Sequence, residues 1–309
     1  MKSLSYFFVI AVAAVSFNLN AGVAKPKLSS SKNTILPAIW KSSSAQERLK
    51  ALRVAQLDAY RALVARVYGF QLASGSTVYD YALESDMVHS RLDAVLKGAT
   101  EIEKPEYTDK GLVMVVYGLK LRKIIEVLKI NKSFNQLVIS KTIQHQDKTI
   151  EALGCGALPD SMGMKMLHAK RAAEMDAYRL MAERIIGVKI NSETSVAQMC
   201  LKNDKVQASL IAFLKGLKPT AIDYKADGSC AVTIQLKIRE VVETVENLMR
   251  VYNSGNKDKI TSVKITTNDK IFKTTGHGAP RVADAGSLND ADSAKTILIK
   301  VIRKEIVVE

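Results

Sequence analysis

Histidine and cysteine are scarce here, four and three in 309 residues. His89, His145, His168 and His277 share no metal-ligand spacing with one another or with Cys155, Cys200 and Cys230. The sequence therefore predicts no metal site, and no other cofactor. No Gly-x-Ser-x-Gly elbow occurs, which argues against a serine hydrolase. Neither Gly-Lys-Ser/Thr nor Gly-x-Gly-x-x-Gly spacing is found, so the usual phosphate cradles are missing. A long apolar run occurs only at residues 6–17, too short for a membrane-spanning helix. Lys2 precedes it and small residues follow, so residues 1–24 read as a secretory signal, cut after Ala21 or Ala24. No cysteine lies near that cut, which removes lipid attachment there.

Dense blocks of charge are missing too. The net charge is +14, from 45 Lys and Arg against 31 Asp and Glu, with lysines spread along the chain. An exported protein rarely meets nucleic acid, so no nucleic-acid partner is expected. The charge reads as a solvated face. Its sharper reading is attraction to anionic lipid, lipopolysaccharide or a wall polymer, which would make the protein a binding module for the envelope. An oxidising compartment permits one disulfide, with Cys200 and Cys230 the candidate pair. Their counterparts in the first half are Ala82 and Val113, so neither place demands sulfur.

What the chain does have is an internal repeat. Residues 49–98 and 167–216 align without a gap, with about twenty of some fifty positions identical. Asp58-Ala59-Tyr60-Arg61 matches Asp176-Ala177-Tyr178-Arg179, and Leu96-Lys97-Gly98 matches Leu214-Lys215-Gly216. A period this long suits a duplicated small domain. The division expected is 33–130 and 146–252, with 260–309 a C-terminal extension that begins like a repeat leader.

Each copy opens with a helix, about 45–67 and 164–185. Ala51, Ala55 and Ala59 recur four apart, as do Ala169, Ala173 and Ala177, giving one face that a sheet or helix can approach closely. Gly69 and Gly187 read as left-handed helix caps, followed by a strand-like 187–192. A second helix is expected at 86–97 and 204–215, closed by Gly98 and Gly216. Cys230, Val232, Ile234, Leu236 and Ile238 alternate with polar or small residues, the period of a half-buried strand. Lys110-Gly111 and Asp227-Gly228 are turn signals. A last helix spans 239–252. The class is α+β, two tandem repeats, each an antiparallel sheet with helices on one face. Segments 147–159 and 269–280 look alike, each a leader strand ending in a glycine turn, Gly154-Cys155-Gly156 and Gly276-His277-Gly278. Residues 296–308 read as an apolar strand with no partner of its own, and free sheet edges with this tail suit strand addition between subunits.

The repeated Asp-Ala-Tyr-Arg element is the leading site candidate. Asp58 and Arg61, like Asp176 and Arg179, stand three apart and can pair, while Tyr60 and Tyr178 offer an apolar ring with a polar tip. The bland reading is a satisfied polar seam between helix and sheet; the sharper one is a ligand or subunit contact. Neither supplies a nucleophile and a base, so no enzyme and no small-molecule substrate are expected.

At 170–179, Lys-Arg-Ala-Ala-Glu-Met-Asp-Ala-Tyr-Arg, and 187–196, Gly-Val-Lys-Ile-Asn-Ser-Glu-Thr-Ser-Val, the chain resembles the LPP-twenty family of twenty-kilodalton outer-membrane lipoproteins. The entry Gly154-Cys155-Gly156-Ala157-Leu158-Pro159 fits the same resemblance. It covers 147–249 well and 46–129 loosely. It implies a non-enzymatic structural protein of the envelope, periplasmic and peripheral to the outer membrane. Relatives of the FlgP and FlgT type build flagellar rings or disks, which implies self-association or other envelope and flagellar partners. This chain departs in lacking the lipidated cysteine and in carrying two copies and a tail.

Overall fold

Ser44 and Glu47 satisfy each other's backbone N–H in a capping box, and that exchange starts the first long helix. The computed structural model describes residues 36–72, 76–130, 148–188, 195–253 and 271–280. The first half runs α1 (Ala38–Ser42), α2 (Ala45–Tyr68), α3 (Val78–Glu84), α4 (Asp86–Lys97), β1 (Thr100–Glu101), β2 (Glu106–Tyr107), β3 (Leu112–Lys120), α5 (Leu121–Leu128) and β4 (Thr149–Ala157). The second runs α6 (Met162–Ile186), α7 (Val196–Lys202), α8 (Asp204–Gly216), β5 (Pro219–Tyr224), β6 (Cys230–Lys237), α9 (Ile238–Asn253) and β7 (Ile271–Gly278). The signal at 1–24 and the strand expected at 296–308 lie outside the described residues. So does most of the strand expected at 187–192; Val188 belongs to no strand.

The class is α+β, and both sheets are antiparallel. In the first, β3 pairs with β1 and β2 along one side and with β4 along the other. In the second, β6 lies between β5 and β7. These pairings redraw the expected boundaries. Strand 149–157 precedes α6 in the chain but completes the first sheet, Cys155 opposite Met114. Likewise β7 belongs to the second sheet, His277 opposite Ala231, and not to a separate extension. In each half the closing strand enters after a helix and zips along the full central strand, so the ladder's hydrogen bonds decide membership.

The two central strands differ in a way their residues explain. β3 reads Leu-Val-Met-Val-Val-Tyr-Gly-Leu-Lys and is buried almost throughout, because both its faces are covered. Val113 and Val115 pack with Trp40, Ala51 and Ala55. Met114, Val116 and Leu153 on the other face join the core around α6. Among the described residues the second sheet has one covered face. In β6 Cys230, Val232, Ile234 and Leu236 are buried, whereas Gln235 and Lys237 are exposed. The order of layers is α2, first sheet, α6, second sheet. Trp40 of α1 closes one end, donating from Nε1 to the Thr108 carbonyl at 2.8 Å and meeting Tyr107 edge-on.

Glycine backbone freedom is used at the two predicted turns: Gly111 and Gly228 have φ of 81° and 84°. Gly69 and Gly187 do not act as left-handed caps; their φ values are −79° and −69°. Gly69 is instead a contact point. It lies against Gly216 at the end of α8, and a Cβ on either would collide with the other's backbone. Beside it Gln71 donates to the Glu240 carbonyl (3.1 Å) and Thr244 Oγ1 (2.9 Å), and the Ser209 hydroxyl donates to Asp80. These contacts fix the two halves against each other.

Candidate functional site

The repeated residues converge on the outer side of β4 and of β7, the last strands of their sheets among the described residues. A sheet edge exposes N–H and C=O groups that seek partners. Here the preceding long helix supplies them. Asp58 Oδ2 accepts from the Cys155 N–H at 2.9 Å, and Asp176 Oδ2 accepts from the His277 N–H at 3.1 Å. Arg66 donates to the Glu151 carbonyl, and Arg184 donates to the Lys273 carbonyl. In both halves Asp and Arg stand eight apart on the helix, while the groups they hold are four apart on the strand. Eight helical residues rise about 12 Å. Four extended residues span about 13 Å. The two pairs therefore match in length, with helix and strand running oppositely.

Glycine makes this proximity feasible. A Cβ on Gly154 would overlap the Ala55 carbonyl and the Ala59 amide, and one on Gly156 would overlap Ala51 and Ala55. Gly276 and Gly278 stand in the same relation to Ala173 and Ala177 and to Ala169 and Ala173. Two strand residues advance about 6.6 Å. One step of the alanine stripe advances about 6 Å. Thus Gly154-Cys155-Gly156 and Gly276-His277-Gly278 are not turns. They are extended strand, and their glycines let a helix backbone ride directly on the sheet. The alanine stripe is the helix's half of that contact, as its spacing predicted. Strand addition at β4 and β7 is disfavoured at Glu151 and Cys155 and at Lys273 and His277, where helical side chains already hold an outward C=O or N–H.

The motif's other residues divide. Asp176 pairs with Arg179 at 2.8 Å, and Arg179 also holds Glu183 at 2.7 Å. Asp58 departs from the expected partner: its ion pair is with Arg171 of α6, at 3.6 Å across the halves, and Arg61 points to solvent. Tyr178 donates to the Leu217 carbonyl at 2.8 Å, and burial pushes its hydroxyl pKa well up. Tyr60 packs against the first half's core. Gly69 marks the inter-half contact, and Gly187 is exposed. Arg66 and Arg184 escaped the sequence reading, although both occupy the same repeat position and are preserved in it.

Between the halves lies a buried polar cluster. Lys170, 4% exposed, holds Glu174 at 2.8 Å. Burial alone would lower the Lys170 pKa; the facing charges, Glu174 foremost, outweigh it and hold the ammonium well above its ordinary range. The first half solves the same position with Leu52 and Gln56. The Tyr224 hydroxyl is buried there without a hydrogen-bond partner among the described residues. All three cysteines are buried free thiols, so the candidate Cys200–Cys230 bridge is not formed. Cys200 packs on α7 and Cys230 on β6, each as a small core residue. Burial raises Cys155 to about 11 and Cys200 and Cys230 to about 12.

A shallow groove of about 430 Å³ lies between α4 and α5, lined by Arg91, Ala94, Val95, Gly98, Lys123 and Val127 among others. Among the described residues no three or more His, Cys, Asp and Glu side chains gather as metal ligands. Among them also, no helix is long and apolar enough to cross a membrane. No family model, curated protein or solved structure matches this chain.

Proposed function

We propose that this protein is a non-enzymatic structural component of the cell envelope, held in the periplasm at the outer membrane, where it contributes to a flagellum-associated ring or disk. One observation supports this reading above the others. Two pairs of side chains that recur in both halves, Asp58 with Arg66 and Asp176 with Arg184, are consumed in holding helix to strand. Shape is what the repetition preserves. The expectation of export comes from residues 1–24, and that of a flagellar assembly from the resemblance at 170–196. The test is cell fractionation followed by isolation of flagellar basal bodies. The protein should leave the cytoplasm, accompany the outer membrane and co-purify with basal bodies. Recovery in the cytoplasm, or in the periplasm with none on basal bodies, would overturn the respective part of the reading.

A further inference from the structure

The contact between the halves uses two surfaces, and the chain carries a second version of each that stays exposed at Gly98 and Gly187. Within the chain, Gly69 at the end of α2 sits against Ala212 and Gly216 of α8, with Gln71 bonded to α9 alongside. In the gapless alignment Gly69 corresponds to Gly187, and Ala212, Phe213 and Gly216 correspond to Ala94, Val95 and Gly98. The last three line the α4–α5 groove. Gly69 is buried by its partner, whereas Gly187 and Gly98 are both exposed. A Cβ on Gly98 would meet only carbonyls of its own helix. The groove is thus the first half's version of a cleft that the second half fills with a helix end.

We propose that the end of α6, at the exposed Gly187, docks in the α4–α5 groove of a second copy of this chain. The proposal rests on the reading above that the protein self-associates, and names the surface through which it does so. The contact is heterologous: each copy offers one helix end and one groove, so it propagates into a ring or a filament. It is weaker than the contact within the chain. There, Met114, Val116 and Leu153 are buried beneath α6. The corresponding face of the second sheet carries Thr233, Gln235, Lys273 and Thr275, so less apolar surface leaves water. A dissociable, concentration-dependent association is expected.

The full chain tests this with cysteines placed at the two glycines. Chains carrying Gly98→Cys are mixed with chains carrying Gly187→Cys and mildly oxidised. A disulfide joining one kind to the other is expected, with none in the unsubstituted protein, whose thiols are buried. Ala94→Arg, which fills the groove, should weaken self-association in sedimentation about tenfold or more while the melting temperature holds. If Ala94→Arg misfolds, the mixed-disulfide experiment still decides. Self-association without the mixed disulfide would overturn this interface and leave the scaffold reading standing. A protein that stays monomeric at high concentration would overturn both. A bond formed only inside a doubly substituted chain would show the groove filled from its own molecule, and would also overturn the interface.

Discussion

Asp58 and Arg61 stand three residues apart and look equivalent in the repeat, yet they have different work. Asp58 holds a strand N–H that faces outward from its sheet, and Arg61 is exposed. Losing a hydrogen bond to a charged acceptor and orphaning its donor costs about 1–3 kcal/mol. Asp58→Ala should therefore lower stability by about 2 kcal/mol in urea unfolding, and Arg61→Ala by less than about 0.5 kcal/mol. Equal losses would contradict the division. The Lys170–Glu174 pair gives a second residue-scale test. Glu174→Gln leaves a buried ammonium without its partner and should cost about 3 kcal/mol. The double change Lys170→Leu with Glu174→Gln copies Leu52 and Gln56 of the first half, and should recover most of that loss. A double variant as unstable as the single one would mean the pair does more than satisfy burial.

At the scale of elements, close approach of helix and sheet depends on glycine facing alanine. Gly154→Ala places a methyl into the backbone of α2, where nothing flexible can yield. A loss of about 3 kcal/mol, or a chain that does not fold, is expected on overpacking grounds. Gly98→Ala, open on its outer side, should cost nothing and can gain a few tenths of a kcal/mol. Similar effects at both sites would remove the contact from the account. Much of this level was legible beforehand. The 3.6-residue periodicity placed the long helices, the two-residue period placed β6, and the alanine stripe announced a close neighbour. The Gly-x-Gly pairs were misread as turns because glycine serves two purposes, unusual backbone angles and absence of a Cβ, and one sequence cannot separate them. The strands 149–157 and 271–278 join the sheets of the halves that precede them, against the expected boundaries, for a related reason. Nothing local in a strand reveals which sheet it joins. The unbroken apolar run in β3 did carry a signal, two covered faces, that alternation alone overlooked.

In the molecule as a whole, one core spans both halves: Met114, Val116 and Leu153 of the first sheet share it with α6, α8 and β6. Buried groups in that shared interior also set its response to alkali. The Cys155, Cys200 and Cys230 thiols are raised above their ordinary 9.0, and Tyr178 and Tyr224 are raised by burial as well. Above about pH 9 the unfolded chain releases protons that the native state keeps, so stability falls with rising pH. Urea midpoints should be level near neutrality and drop between pH 9 and 11, and thiol reagent should find three groups in denaturant and almost none before it. A midpoint unchanged through pH 11 would contradict burial of these groups. Site residues were legible in part: the repeat exposed Asp58 and Asp176, but their partners lie some hundred residues away and no spacing rule reaches that far. The central claim, that the repeated aspartates seal the outer edges of both sheets, is most directly tested by amide hydrogen exchange. The Cys155 and His277 amides should be protected in the native protein, and each should lose protection when its own aspartate, Asp58 or Asp176, becomes alanine. Rapid exchange of either amide in the unsubstituted chain would contradict the account.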